Sequence, residues 1–274
     1  MLLLHRANPA QDETAPLLNP GKYVQLLSIL VNVVLRTSLI TTAPGSAYIE
    51  TSSPATRLVV SIHGPKPLPP STPYTPTIQL TISFSLPLFS GRHHPRNPPG
   101  PATQLERFLA IRLEKLVGPM LLGHLFPKSG IDVNIGVLEY TGRWSLLAIA
   151  TNAVSTAIAE SGIDVMDLVS ASSFAVTEDG LVVDPTGEEE ETATAGGVVG
   201  YMTSTGEITD MWISGPLEVG DEEDMDVDSG RAVRLPEVME KVVSAAADAR
   251  LVINHALMEM VKEKGLAAKE TNKS

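Results

Sequence analysis

The chain of 274 residues contains no cysteine, and only 4% of its residues are aromatic. Without cysteine there is no disulfide, no thiolate zinc site, no cysteine-held iron cluster and no cysteine nucleophile. Because aromatic side chains are scarce, the core must be built from the aliphatic residues that dominate the 43% hydrophobic fraction. We therefore expect a globular protein for which an intracellular, reducing environment is the natural setting.

Long apolar runs are also missing. The longest extends from residue 24 to 35, is interrupted by Gln25, Ser28 and Asn32, and falls short of the roughly 20 residues needed to cross a bilayer. Only three leucines follow Met1 before polar residues begin, which is not a secretory signal. We expect a soluble protein that does not interact with membranes.

Charge is distributed unevenly along the chain. Residues 1–137 carry 11 Lys and Arg against 6 Asp and Glu, a net charge of +5, whereas residues 138–274 carry 9 against 26, a net charge of −17. A nucleic acid would be repelled by the second half and attracted only to particular patches of the first. This pattern argues against generic binding of RNA or DNA along the whole chain.

Alternating and β-branched segments predict a series of short strands. A hairpin is expected from residues 46–50 and 58–63, closed by Gly64 and Pro65, and a half-buried strand is expected over residues 77–84. Further strands are predicted over residues 131–138, 164–176, 181–184, 198–203 and 207–214.

Two helices are predicted in the middle of the chain. The first should begin at the capping-box sequence Thr103 to Glu106, and its apolar residues recur every three or four positions as far as Met120. The second should span residues 145–161 and end at Gly162. Its inward residues are expected to be Leu146, Ile149, Ala153, Ala157 and Ile158. Each helix is expected to pack one side on the core.

A third helix is predicted from residue 236 to 264, ended by Gly265. The alternation of strands with helices indicates an α+β fold of split βαβ layers, with mixed sheets packed against helices. The expected layout is an N-terminal arm over 1–35, a single domain over 36–265 with an acidic loop near 220–230, and a C-terminal tail over 266–274.

Four stretches together resemble the RNase PH family, and specifically the non-catalytic RNase PH-like ring subunits of the eukaryotic RNA exosome. The second stretch, with the sequence Pro-Lys-Ser-Gly-Ile-Asp, is the most specific and resembles one type of ring subunit more than its ring neighbours. The stretches are residues 43–50 running into 60–65, residues 126–133, residues 157–163 with Asp167 and Leu168, and Asp184 to Thr186 with Glu188 to Glu191.

The resemblance implies an RNase PH-like fold and a place in a hexameric ring that guides single-stranded RNA to a 3′-to-5′ exoribonuclease for processing and decay, rRNA processing included. The implied partners are other RNase PH-like ring subunits, OB- and KH-type cap subunits, single-stranded RNA and the associated exoribonuclease. The implied compartments are the nucleus, the nucleolus and the cytoplasm. No cofactor is implied.

In catalytic members of the family, a Gly-Thr-Arg run between a strand and a helix cradles inorganic phosphate. At the matching place this chain has residues 140–145, in which Arg143 precedes the bulky Trp144, so the cradle is expected to be lost. The resemblance places the catalytic aspartate about a dozen positions after Asp184, where residues 195–197 carry no carboxylate. We therefore expect no catalytic residues and no enzymatic activity.

Two charged segments remain to be assigned. Glu188 to Glu191 form an exposed acidic run that either attracts a metal or, as we expect, is merely solvated. The predicted RNA-binding residues are Arg92, His93, His94 and Arg96. In the family the corresponding loop faces the pore, where mobile charges suit sequence-independent contact with phosphates.

The same basic loop is open to a simpler interpretation, an ordinary solvated surface loop. It is not a metal site, because adjacent histidines diverge and no third ligand is near in the sequence. An alternative function for the whole chain is an active phosphate-dependent 3′-to-5′ exoribonuclease in a ring oligomer.

Overall fold

A computed structural model describes residues 33–86, 100–178, 180–217 and 234–271. The predicted basic loop around Arg92 and Arg96, most of the N-terminal arm and the acidic loop lie outside these residues. The described strands are β1 Val33–Thr37, β2 Gly45–Ser52, β3 Ala55–Pro67, β4 Gln79–Ser85, β5 Ser129–Glu139, β6 Val169–Thr177, β7 Gly180–Val183, β8 Ala195–Met202 and β9 Glu207–Ser214. The helices are α1 Gly100–Val117, α2 Arg143–Ser161, α3 Gly187–Thr192 and α4 Leu235–Thr271.

The strands form two sheets, which confirms the α+β class. The first has the order β1-β2-β3-β5-β4, antiparallel except for the parallel pair of β4 and β5. The predicted hairpin is confirmed as β2 and β3, which pair from Gly45 opposite Ile62 to Ser52 opposite Ala55. Its predicted end at Gly64 and Pro65 is wrong, because β3 continues to Pro67 and pairs with β5 there. The second sheet has the order β7-β6-β8-β9 and is antiparallel throughout.

The central helix α2 lies between the two sheets. It contacts β2 and β3 of the first sheet and β6 and β8 of the second. The five residues predicted to face inward are buried, and so is almost every other position, since all residues from Trp144 to Ile158 except Asn152 are buried. Asn152 is satisfied as well, since its side chain donates to the carbonyl of Ala171 at 2.9 Å and accepts from its amide at 2.8 Å.

The C-terminal end of α2 is defined by a glycine and a carboxylate. Gly162 ends the helix in the left-handed conformation with φ of 74°, as the sequence predicted. Two residues earlier, the Glu160 carboxylate accepts hydrogen bonds from the amides of Ser38 at 3.0 Å and Ser46 at 2.9 Å, and it pairs with Lys264 of α4 at 3.3 Å. The C-terminal end of α2 is thereby joined to the first sheet and to α4.

Two predicted helix boundaries are wrong. Helix α1 begins at Gly100, not at Thr103, because Pro101 fits the first helical turn, where no amide partner is needed. The Glu106 carboxylate, expected to complete a capping box, accepts from the amide of Leu86 at 2.8 Å. Helix α4 continues through Gly265 to Thr271, since one glycine costs a helix only about 1 kcal/mol.

Among the described helices, none combines the length and the apolar character that a membrane span requires.

The strand predicted over 164–176 begins only at Val169, because the residues before it form a polar junction with α4. There the Arg250 guanidinium pairs with the Asp167 carboxylate at 2.8 Å and also contacts the carbonyl of Leu168. Asp167 also accepts from the amides of Leu168 at 2.7 Å and Ser204 at 2.9 Å. Burial raises the pKa of Asp167, but these hydrogen bonds and the charge of Arg250 outweigh burial and hold the pKa below its ordinary value.

We predict that Arg250→Met lowers the free energy of unfolding by about 3 kcal/mol, because it leaves a buried carboxylate without its cation. A carboxyl with a lowered pKa stabilises the fold above its ordinary pKa, and that stabilisation is lost as the pH falls through the folded-state value. Urea unfolding at pH values from 7 down to the acid limb should therefore show a shallower acid dependence for Arg250→Met than for the wild type.

The control for this prediction is Lys241→Met. Lys241 pairs with Glu237 at 2.8 Å on the exposed side of α4, so its loss should change stability by less than about 0.5 kcal/mol. Equal losses in the two variants would show that the Asp167 pair is no more important than a surface ion pair.

Candidate anion site at the start of helix α2

The N-terminus of α2 is occupied by a carboxylate from elsewhere in the chain. Glu190 accepts hydrogen bonds from the amides of Arg143 at 2.8 Å, Trp144 at 3.2 Å and Ser145 at 2.9 Å. The Ser145 hydroxyl also donates to it at 2.9 Å. The first amides of a helix lack partners within the helix and carry a partial positive charge, so they form a site for an anion. Here Glu190 supplies that anion.

The site is tightly closed around Glu190. The helix cap is Gly142, and a Cβ atom at this position would lie 2.1 Å from a Glu190 carboxylate oxygen. Burial raises the pKa of Glu190, while the amides and the hydroxyl that donate to it act in the opposite direction. The four donors and the absence of space for a Cβ define a compact cradle built for two carboxylate oxygens.

Glu190 is positioned by α3, a helix that the sequence analysis did not predict. The Thr186 hydroxyl accepts from the amide of Glu189, and the Glu189 carboxylate accepts from the amide of Thr186 at 2.7 Å, which is a complete capping box. The interpretation of residues 188–191 as a merely solvated acidic run is therefore wrong for Glu189 and Glu190. The signal was present in the sequence, since Thr followed three positions later by Glu is the capping-box pattern.

Trp144 joins the same site to strand β8. Its indole ring is only 4% exposed and packs against Gly196, where an added Cβ would lie 2.3 Å from the ring. The Arg143 side chain is exposed, and its guanidinium lies 5.6 Å from the centre of this ring. The structure thus brings together three segments that the sequence analysis considered separately, residues 140–145, 188–191 and 195–197.

These contacts change the expectation of a lost cradle. The amides of residues 143–145 converge on one anion, and that anion is a side chain of the protein itself. As the sequence indicates, residues 195–197 offer no carboxylate, and Trp144 packs against the glycine there. The carboxylate at the helix start belongs to Glu190, which lies six positions after Asp184. The resemblance instead places the catalytic aspartate about a dozen positions after Asp184.

Asp184 belongs to a different pocket. It has a left-handed φ of 52° and accepts from the Ser173 amide and from the hydroxyls of Ser172 and Ser173, each at 3.2 Å. Burial raises the pKa of its carboxyl, against the effect of these hydrogen bonds. It borders a mostly apolar cavity of about 220 Å³ between α2 and α4. Asp184 is therefore held by the second sheet and makes no hydrogen bond with the cradle.

The other segments quoted for the resemblance have structural roles. Lys128 has a left-handed φ of 52° in the turn before β5, and Asp132 on that strand pairs with Lys66 of β3. Glu160 and Asp167 make the junctions with the first sheet and α4 described above. Among the described residues, no three His, Asp or Glu side chains are grouped so that they could hold a metal ion.

Comparison with known proteins relates this chain to a single family. Residues 31–164 match the sequence profile of the 3′ exoribonuclease family, domain 1, and residues 167–226 match that of domain 2. The exosome complex component mtr3 of Schizosaccharomyces pombe is 34% identical over 82% of each chain. The exosome complex component MTR3 of Chaetomium thermophilum is 28% identical over 85% of this chain and 87% of its own length.

The fold agrees with these relationships. The crystal structure of rice Rrp46 superposes with a TM-score of 0.62 at 19% sequence identity and covers 81% of this chain and 92% of that one. The RNase PH-like fold implied by the resemblance is thus confirmed. From the two matching domains and the identity with mtr3, we conclude that the chain belongs to the 3′ exoribonuclease (RNase PH) family.

Proposed function

We propose that this chain is a non-catalytic RNase PH-fold subunit of the exosome ring. In this role it forms part of the wall of a channel that guides single-stranded RNA to a 3′-to-5′ exoribonuclease. Its neighbours are other RNase PH-like subunits, with cap subunits, RNA and the nuclease as further partners. Its similarity to the exosome components mtr3 and MTR3 supports the assignment to the exosome. Nucleus, nucleolus and cytoplasm are proposed as its compartments on the same resemblance.

The observation that carries the non-catalytic assignment is the Glu190 carboxylate on the amides of α2. Phosphorolysis requires inorganic phosphate to bind beside the scissile bond, at donors that stabilise its charge. In this chain the donors at the matching place are already taken by an anion that is covalently part of the protein. A phosphate would have to displace Glu190 and then remain next to its negative charge, which Coulomb repulsion opposes.

Two measurements on the full chain test this proposal. Purified protein incubated with labelled single-stranded RNA, phosphate and magnesium should release no nucleoside diphosphates. Native mass spectrometry after co-expression with the other RNase PH-like ring subunits should find the chain in the ring. Release of nucleoside diphosphates would favour the active exoribonuclease instead, and a stable monomer that never enters the ring would reject the exosome assignment.

We predict that Glu190→Ala uncovers an anion site. The variant should lose about 1 to 2 kcal/mol of stability, as expected for removing a helix cap, and inorganic phosphate should raise its unfolding temperature. The wild type should show no such rise, because Glu190 already occupies the donors. Thermal unfolding with and without phosphate, at constant ionic strength, measures both effects.

The matched control is Glu188→Ala, which removes an exposed carboxylate from the same short helix. It should leave both stability and the response to phosphate close to the wild type. Equal phosphate effects in all three proteins would mean that phosphate acts elsewhere or nonspecifically, and that Glu190 does not block an anion site.

We further propose that the basic loop containing Arg92, His93, His94 and Arg96 contacts RNA in the channel. Point charges on this segment would attract phosphates without reading bases. Replacing Arg92 and Arg96 by Ala should weaken RNA protection by the assembled ring while leaving ring assembly intact. Nuclease protection and native mass spectrometry of the same preparation measure the two properties, and unchanged protection would remove the loop from RNA guiding.

A further inference from the structure

The cavity between α2 and α4 has in its wall the carboxylate of Asp184, and we propose that it binds a short aliphatic amine as an alkylammonium ion. We call this space the Asp184 cavity. In the complex the ammonium group meets the Asp184 carboxylate, and the alkyl chain lies against the apolar wall. The inference goes beyond the proposed function and does not depend on it, since none of the residues 143–145 at the start of α2 lines the cavity.

The Asp184 cavity exists because small side chains meet where α2 and α4 pack together. Ala148 of α2 and both Ala245 and Ala249 of α4 line it, and alanine leaves space that a longer side chain would fill. An alkyl chain placed there gains free energy, because it removes the apolar wall from water. Branched aliphatic residues of the first sheet and of α4 complete this wall, namely Val33, Leu35, Ile49, Val252 and Ile253.

The volume of the cavity limits the ligand to a few atoms. The cavity measures about 220 Å³. An engineered apolar cavity of about 150 Å³ is large enough to bind benzene, whereas pockets for drug-sized ligands begin at about 300 Å³. The Asp184 cavity therefore fits a short alkyl chain with one polar end group and is too small for a nucleotide.

The two carboxylate oxygens of Asp184 have different surroundings. Oδ1 accepts hydrogen bonds from the Ser173 amide and from the hydroxyls of Ser172 and Ser173, each at 3.2 Å. Oδ2 accepts no hydrogen bond from the residues that the structure describes. Since Asp184 lines the cavity, Oδ2 is the oxygen left for a ligand.

The charges around the cavity favour a cation. Of the described residues that line it, none is basic, and the second carboxylate, that of Asp248, is exposed to solvent. Burial raises the pKa of the Asp184 carboxyl, and a bound cation would act in the opposite direction. A ligand that carries a phosphate or a carboxylate would be repelled by Asp184.

The other polar side chains of the wall already have partners. The Asn152 side chain donates to the carbonyl of Ala171 and accepts from its amide, and the Thr51 hydroxyl donates to the carbonyl of Pro54 at 2.6 Å. A guanidinium binds a carboxylate best through both oxygens, but Oδ1 of Asp184 is taken. An ammonium group is a compact charge that can use one oxygen, so a primary amine fits the site better.

The test uses three probes that have alkyl chains of similar length, n-pentylamine, n-pentanol and pentanoate. Titration of the full chain at neutral pH, followed by NMR chemical shifts, should show that the amine binds at least about tenfold more tightly than the alcohol, because a charge-assisted hydrogen bond is stronger than a neutral one. Pentanoate should not bind. The amide shifts caused by the amine should cluster on the cavity wall, for example at Asn152, Ala171 and Ile253.

The variant Asp184→Asn removes the charge and keeps an acceptor for the three donors to Oδ1. Asparagine also tolerates the left-handed φ of 52° at this position. The preference for the amine over the alcohol should fall to less than about twofold in this variant. The matched control is Asp248→Asn, which should change amine binding by less than about threefold, because water screens an exposed charge. Ala249→Leu fills the cavity and should weaken the amine and the alcohol alike.

Several results would overturn the inference. If none of the probes binds the wild type, the cavity is closed to ligands in solution. Equal binding of amine and alcohol, or a preference for the amine that survives Asp184→Asn, would reject the role of the carboxylate, and equal losses in Asp184→Asn and Asp248→Asn would indicate nonspecific attraction to acidic groups. Urea unfolding checks that each variant is folded. If Asp184→Asn is not, the shifts of the wild type decide, since shifts away from the cavity wall would place the amine elsewhere.

Discussion

The structure depends on one helix that has no solvent-facing side. Helix α2 is buried nearly all round between two sheets, so its termini are the only places where unpaired backbone groups have to be satisfied. At the first turn, Glu190 accepts from the free amides. At the other end, Gly162 ends the helix in the left-handed conformation, and the Glu160 side chain joins the last turn to the first sheet. Polar contacts at both ends of α2 therefore help to hold this helix between the two sheets.

This arrangement explains how a family fold can keep its shape while its anion site is occupied from within. The donors at the start of α2 are needed for the fold whether or not phosphate binds there, because a buried helix start without acceptors is costly. An internal carboxylate satisfies the same donors permanently. In the proposed non-catalytic subunit, the site contributes to stability rather than to phosphate binding.

The two long outer helices divide the surface between them. Helix α4 covers the β1 and β7 edges and anchors to the chain through Arg250 and Lys264. Helix α1 packs on β4 and β9 and exposes Phe108 and Ile111 between them. Each of the two long helices therefore contacts strands of both sheets.

The sequence by itself determined those elements that depend on residues close together in the chain. Alternation of side chains identified the β2 and β3 hairpin, and Gly162 identified the end of α2, because both follow from backbone conformation and periodicity. The quoted stretches also identified the family. Tertiary structure alone decided that Glu190 meets the amides of residues 143–145 and that Trp144 meets Gly196. These partners are about fifty residues apart in the chain, and only the packing of both sheets on α2 brings them into contact.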